Sequence, residues 1–496
     1  MSAIIETKNG TVRGVTWADG FCWKGIPYAQ PPVGGLRFRH AQPVKDWEGI
    51  LDATQFGPAC PQRKRKRRTV DEDCLTLNIW SSKNNLNHAK PVLFYIHGGS
   101  FSKGAGSDPE YDGRKLAARG DVLVVTCNYR LGALGFMDFS SLDSSFQSNC
   151  GLSDVLEALR WVHGNIAAFG GDPGNITVIG QSAGAIIAAT LATIPAAKPY
   201  IAKIIMMSGG LNWLHSERQA RELAKGYLEF AGIESPRQLM EMPAQKLAAL
   251  QKNYTRCSGY GENTFAIQVD GNFVPEYPMP AAAFGAASDI PMLIGTTAEE
   301  TIFARLKPLE RLLDLKDAVM YIISREERET LTRMQEIYNK YGKKARAMMM
   351  GDSIFRMSSL WYAQVCSKFS GTWMYRFDYA TPIMKAVRIK AFHSCDIPFI
   401  FGNTDAGNYK LMFLFGGKCA GTDKVAEEVQ NDFLAFARTG VLDWERCHPD
   451  HTNAKCYDHE AVQQPMVAPE IVAAFNRSAF KRRCFTGKKL TYNISL

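Results

Sequence analysis

The sequence has no apolar run approaching the roughly 18 residues that a membrane-spanning helix needs, so no membrane partner is expected. The opening stretch, Met1 to Gly14, lacks the apolar core of a secretory signal, and the chain reads as soluble and cytoplasmic. It has no internal repeat and no low-complexity linker, which excludes solenoid and tethered-domain architectures. Cysteine is thin: 12 residues scattered over 496, not the dense pattern of a small disulfide scaffold. If any two pair, Cys60 and Cys74 are the best placed, because they flank one short polar loop. Cys447, His448, Asp450, His451, Cys456 and His459 have metal-ligand chemistry but fit no zinc spacing, so no metal and no other cofactor is expected. Within that polar loop lies the one dense run of charge, Arg63 to Arg68, inside a net charge of +9. With no zinc-finger spacing and no RNA-binding aromatic signature beside it, the run reads as a solvated loop rather than a nucleic-acid site.

What is present is an ordinary globular composition, 46% hydrophobic and 22% charged. A chain this long buries a large core without disulfides or metals. Val92 to Ile96, Val122 to Val125, Ile176 to Ile179, Met292 to Ile294 and Thr372 to Phe377 are short apolar runs, as expected for strands buried on both faces of a parallel sheet. Between them, Val155 to Phe169 and Ala185 to Leu191 carry helical patterns. Alternating strand and helix predicts an α/β fold with helices on both faces of the sheet. Residues 212–265 and 302–365 are richer in charged helical patterns and read as insertions over one edge. No linker divides them off, so residues 1–496 are read as one domain.

Gly180-Gln181-Ser182-Ala183-Gly184 stands between a buried strand and an alanine-rich helix. That context gives the common G-x-S-x-G pattern its meaning. A tight strand-to-helix turn holds the serine hydroxyl clear of the sheet, side chains two residues either side would collide, and the helix N-terminus adds positive potential. Ser182 is therefore the candidate nucleophile. His97-Gly98-Gly99-Ser100-Phe101 follows a second strand directly. Small residues there can turn backbone N–H groups toward a substrate, with the N–H of Ala183 as partner donor.

At these residues the sequence resembles the type-B carboxylesterase family, which includes bacterial para-nitrobenzyl esterases, mammalian carboxylesterases and cholinesterases. Phe169 to Gly184 fits the family's active-serine signature, and Glu72 to Ile79 its second signature, apart from a proline-like position that is Ser82 here. Gly25 to Ala29, Asn128 to Gly132 and Arg438 to Gly440 match further, so the resemblance runs from about residue 5 to about 475. It implies an α/β-hydrolase fold with helical insertions over the active site, a small-molecule ester as substrate and a monomer or weak homo-oligomer.

Composition cannot choose the acid among 49 carboxylates. Chain order in α/β-hydrolases runs serine, acid, histidine. Gly295 to Glu300 follows a strand-like run, and the family's G-T-T-x-x-E motif selects Glu300, leaving Glu299 to solvent. Among nine histidines, His393 in Ala391 to Phe399 resembles the family's catalytic-histidine segment and follows the last strand-like run. The resemblance thus implies a Ser182–His393–Glu300 triad with oxyanion donors at Gly99, Ser100 and Ala183. Gly98 adjoins those donors, and Ser208 resembles a family position that backs the catalytic groups.

Two departures stand out. Most family members carry glutamate where this sequence has Gln181, so the site loses a negative charge. The Cys60–Cys74 loop has no tryptophan, unlike the choline platform of cholinesterases, which argues against choline esters. Two other functions stay open on the sequence alone. One is a catalytically silent binding protein on the same fold, and the other an anion-binding role for Arg63 to Arg68.

Overall fold

Alternate residues of each apolar run separate onto two faces of one sheet. Val92, Phe94, Ile96, Ile204, Met206, Met292 and Ile294 join one hydrophobic core, whereas Leu93, Tyr95, Ile205, Met207 and Leu293 join another. This two-sided burial is why the runs are apolar throughout instead of alternating with polar residues.

The computed structural model describes residues 3–62, 69–83, 88–302, 328–413 and 420–485. The basic run Arg63 to Arg68 and residues 303–327 of the second expected insertion lie outside the described residues. The main sheet has eleven strands among the described residues. In chain order they are β1 (Val15–Trp17), β2 (Gly20–Pro27), β3 (Thr76–Ser82), β4 (Lys90–Ile96), β5 (Leu123–Cys127), β6 (Gly171–Gln181), β7 (Lys203–Met207), β8 (Met292–Thr297), β9 (Thr372–Phe377), β10 (Asn453–Tyr457) and β11 (Val462–Pro465). Their spatial order is β11-β10-β9-β8-β7-β6-β4-β5-β3-β2-β1. Neighbours from β10 to β5 pair in parallel, and the strands beyond either end are antiparallel.

The sequence reading misses both antiparallel margins. At one, β1 and β2 are interrupted by Gly20 and by a register shift between Trp23 and Ile26. At the other, β10 follows His393, so the histidine does not come after the last strand.

On one face lie α1 (Cys150–Asn165) and α2 (Ala183–Thr193). All eleven residues of α2 are buried, which accounts for a helix apolar around its whole circumference. The first insertion contains α3 (Glu217–Ala231) and α4 (Ala244–Cys257). Ser216 and Gln219 cap α3 reciprocally, and Gly232 ends it in the left-handed conformation, with each such cap contributing about 1 kcal/mol. The described part of the second insertion reaches the sheet through its last helix. Its helix α5 (Met357–Cys366) packs on β8 and β9, and Leu360, Trp361 and Tyr362 are fully buried. A π-helical turn, Asp352–Arg356, leads into it. On the opposite face, α6 (Ala420–Thr439) contributes Val425, Val429 and Phe433 to the second core. No helix among the described residues is long and apolar enough to cross a membrane.

Candidate active site

Parallel strands present their carboxyl ends along one rim of the sheet, where loops from separate strands meet. Ser182 follows β6 in the turn to α2, with φ 55° and ψ −120°. A side chain in this sparsely populated region costs on the order of 1–3 kcal/mol, which the surrounding structure must hold. Its N–H is tied to Met207 O at 2.8 Å. A Cβ on Gly180 would sit 2.1 Å from Gly184 O, and one on Gly184 would sit 2.1 Å from Ile96 O. Both glycines are therefore dictated by backbone approach.

Glu300 lies three residues beyond β8 and is 3% exposed. One of its carboxylate oxygens accepts from Ser208 Oγ and Thr297 N–H, each at 2.7 Å. The other lies 2.6 Å from His393 Nδ1. Burial pushes the carboxyl upward, but the hydrogen bond and charge of His393, with those from Ser208 and Thr297, outweigh it and hold the group below its ordinary value. Such a carboxylate receives the Nδ1–H of the imidazole and leaves Nε2 as an acceptor.

His393 Nε2 faces the neighbour of the serine. Gln181 Nε2 is 3.2 Å away, and no hydrogen bond among the described residues joins Ser182 Oγ to the imidazole. Phe355, on the π-helical turn, stacks on the imidazole with centroids 4.3 Å apart. Ser182, His393, Gly99, Ser100, Phe355 and Trp213 all line one cavity of about 350 Å³. Lys103, Asp108, Glu110 and Glu262 add charge to its walls.

The Gly98–Gly99–Ser100 loop closes one side. Gly99 (φ 124°) and Ser100 (φ 52°) both take positive φ, and a Cβ on Gly99 would lie 2.0 Å from Lys103 O. No acceptor among the described residues takes the N–H groups of Gly99, Ser100 or Ala183. Gly98 leaves room for Gln181, whose Oε1 would be 2.4 Å from an added Cβ. His97 is buried beneath the loop, with its ring stacked on Tyr129 at 4.4 Å.

The structure corrects the reading of Glu299. Glu299 is not solvated: it is buried, forms an ion pair with Lys344 at 2.5 Å and accepts from Lys390 N–H. Cys60 and Cys74 are both buried free thiols. No group of three or more His, Cys, Asp or Glu among the described residues is placed to hold a metal ion.

Phe355 gave no sequence signal, because an aromatic residue in a helical pattern reads as core. Asp396 was also missed. It is fully buried, accepts from Tyr375 Oη at 3.2 Å, and its second oxygen has no partner among the described residues. Burial, then the charge of Glu300, pushes its carboxyl up to about 7. Its place three residues after His393 is the only cue the sequence offers.

The profile of the carboxylesterase family matches residues 1–459. The chain belongs to the carboxylesterase family. It is accordingly a carboxylic-ester hydrolase with an α/β-hydrolase fold. It is 37% identical over 478 residues to the para-nitrobenzyl esterase of Bacillus subtilis, an alignment covering 92% of this chain and 95% of that one. It is 34% identical over 462 residues to the fumonisin B1 esterase of Sphingopyxis macrogoltabida, covering 89% and 82%. Among solved structures, a thermophilic para-nitrobenzyl esterase superposes with a TM-score of 0.85 at 34% identity, covering 96% of this carboxylesterase and 100% of that chain. A carboxylesterase of Geobacillus stearothermophilus does so with a TM-score of 0.83 at 33% identity, covering 95% and 99%.

Proposed function

We propose that Ser182 is the nucleophile, His393 the general base and Glu300 the supporting acid of an esterase acting through an acyl-enzyme, with Gly99, Ser100 and Ala183 donating to the oxyanion. The observation that carries this reading is the 2.6 Å contact between Glu300 and His393 beside a cavity that also holds the strained serine turn.

Ser182 Oγ attacks the acyl carbon of a small-molecule ester while its proton passes to His393 Nε2. Negative charge moves onto the former carbonyl oxygen, where the three N–H groups are free to receive it; each such donor is worth about 100- to 1,000-fold in rate. The intermediate then collapses, the C–O bond to the alcohol breaks, and the alcohol leaves with the proton from Nε2. A water molecule repeats the sequence on the acyl-enzyme, losing a proton to Nε2 and releasing the acid. Glu300 fixes the tautomer and balances the imidazolium without taking the proton.

The Gln181 amide must withdraw from Nε2 for Ser182 to reach it. Catalytic hydrogen bonds commonly tighten only when substrate is bound. We also read residues 1–496 as one domain that functions as a monomer or weak homo-oligomer. Stopped-flow mixing with a nitrophenyl ester tests the assignment. Ser182→Ala should abolish the acylation burst, and a burst of normal amplitude overturns it.

A further inference from the structure

Where Glu299 of the acid loop meets Lys344, the chain builds a second concave site. Its volume is about 270 Å³. Four cations line it: Lys344, Lys385, Arg388 and Lys390. They come from separate places in the chain, Lys344 from the short helix Gly342–Lys344, Lys385 from the helix Pro382–Ala386, and the other two from the turn that follows.

The carboxylates nearby offset them only in part. Asp378 lines the pocket, but Arg376 grips it with two hydrogen bonds of 2.7 Å. Asp458 also lines it, and the His459 N–H it accepts from is neutral, so it sets one negative charge against the cations. Glu299 offsets Lys344 alone. The Lys385 ammonium lies 2.6 Å from the ring Nε2 of His459, which is not a counter-charge while the imidazole is neutral. Arg388 and Lys390 have no carboxylate partner among the described residues. With Lys344 paired to Glu299, three cations face one carboxylate, Asp458, around a hollow smaller than the Debye length of about 10 Å at 0.1 M salt, which leaves a net positive potential there. A dianion at their centre offsets that potential and meets a guanidinium that can bind its oxygens in a fork.

We propose that this pocket is a binding site for a phosphate dianion, as free phosphate or a small phosphate monoester. The Arg388 guanidinium and the Lys390 and Lys385 ammonium groups supply the hydrogen bonds, and Lys344 divides its charge between the ligand and Glu299. The site is distinct from the ester cavity, with which it shares no lining residue.

Calorimetric titration with inorganic phosphate, at an ionic strength held constant with chloride, tests the proposal. The wild type should bind saturably with one site. Arg388→Gln combined with Lys390→Gln should bind about tenfold or more weakly, since it removes two charge-assisted contacts. Arg218→Gln combined with Lys252→Gln removes the same charge from exposed helix positions and should bind as the wild type does. Absence of saturable binding overturns the proposal. So does equal weakening in both double variants, which marks a net-charge effect. Binding to anionic phospholipid vesicles without binding of free phosphate overturns it too. The readout is binding, so it stands or falls independently of the esterase assignment.

Discussion

Asp396→Asn should remove a contribution that lowers stability as pH rises from about 4 to about 7. The carboxyl is fully buried, accepts one long hydrogen bond from Tyr375 and lies near the charge of Glu300, so burial first and that charge second push it up to about 7 in the folded protein. In the unfolded chain it returns to its ordinary value of 3.8. Between those values the folded chain keeps a proton that the unfolded chain has released. Stability therefore declines as pH rises, by about 1.4 kcal/mol per unit. Below the window both states are protonated and the group contributes nothing. Above it both are ionised, and the full penalty, about 4 kcal/mol over roughly three units, is present. Glu300, held below its ordinary value, stays charged across the window, so the repulsion does not vanish within it. Asparagine cannot titrate, and any constant effect of the amide cancels when each protein is compared with itself. Urea unfolding at several pH values from about 4.5 to about 7.5 reads the result. The stability of the variant relative to wild type should rise by about 3 kcal/mol across that range. Parallel curves would show that the carboxyl is not held protonated, and the reasoning would fail.

Glu300→Gln keeps the shape of the acid but removes its charge and lets the wrong imidazole tautomer form. Single-turnover acylation should slow by about 10⁴-fold, and a loss under tenfold would remove Glu300 from the mechanism. Gln181→Glu places a carboxylate beside His393 Nε2, where a charge favours the protonated ring. The acidic limb of kcat/KM should move up by about one pH unit, and an unchanged profile refutes the electrostatic role given to this position.

The serine turn was legible in the sequence because everything that defines it is contiguous: a buried strand, two glycines set by backbone approach, and a wholly apolar helix. Glu300 and His393 were different. Neither is distinguishable by composition, and only chain order and family resemblance singled them out. The Gln181 amide on His393 could not be foreseen, since it depends on the space that Gly98 leaves 83 positions earlier in the chain. Phe355 depends on a π-helical turn that shifts the helix register, and hydrophobic periodicity does not encode such a turn. Glu299 was misread because its partner Lys344 is remote in sequence. The marginal strands escaped notice because β10, Asn-Ala-Lys-Cys-Tyr, lacks the apolar run that reveals the centre of the sheet.

The strand order has a kinetic corollary. Residues 182, 300 and 393 follow β6, β8 and β9, and β8 pairs with partners about 80 or more residues away along the chain. Such contacts close large loops and form slowly. If the proposed assignment holds, a nascent chain has no base for its serine until residue 393 has been made, more than two hundred positions after Ser182.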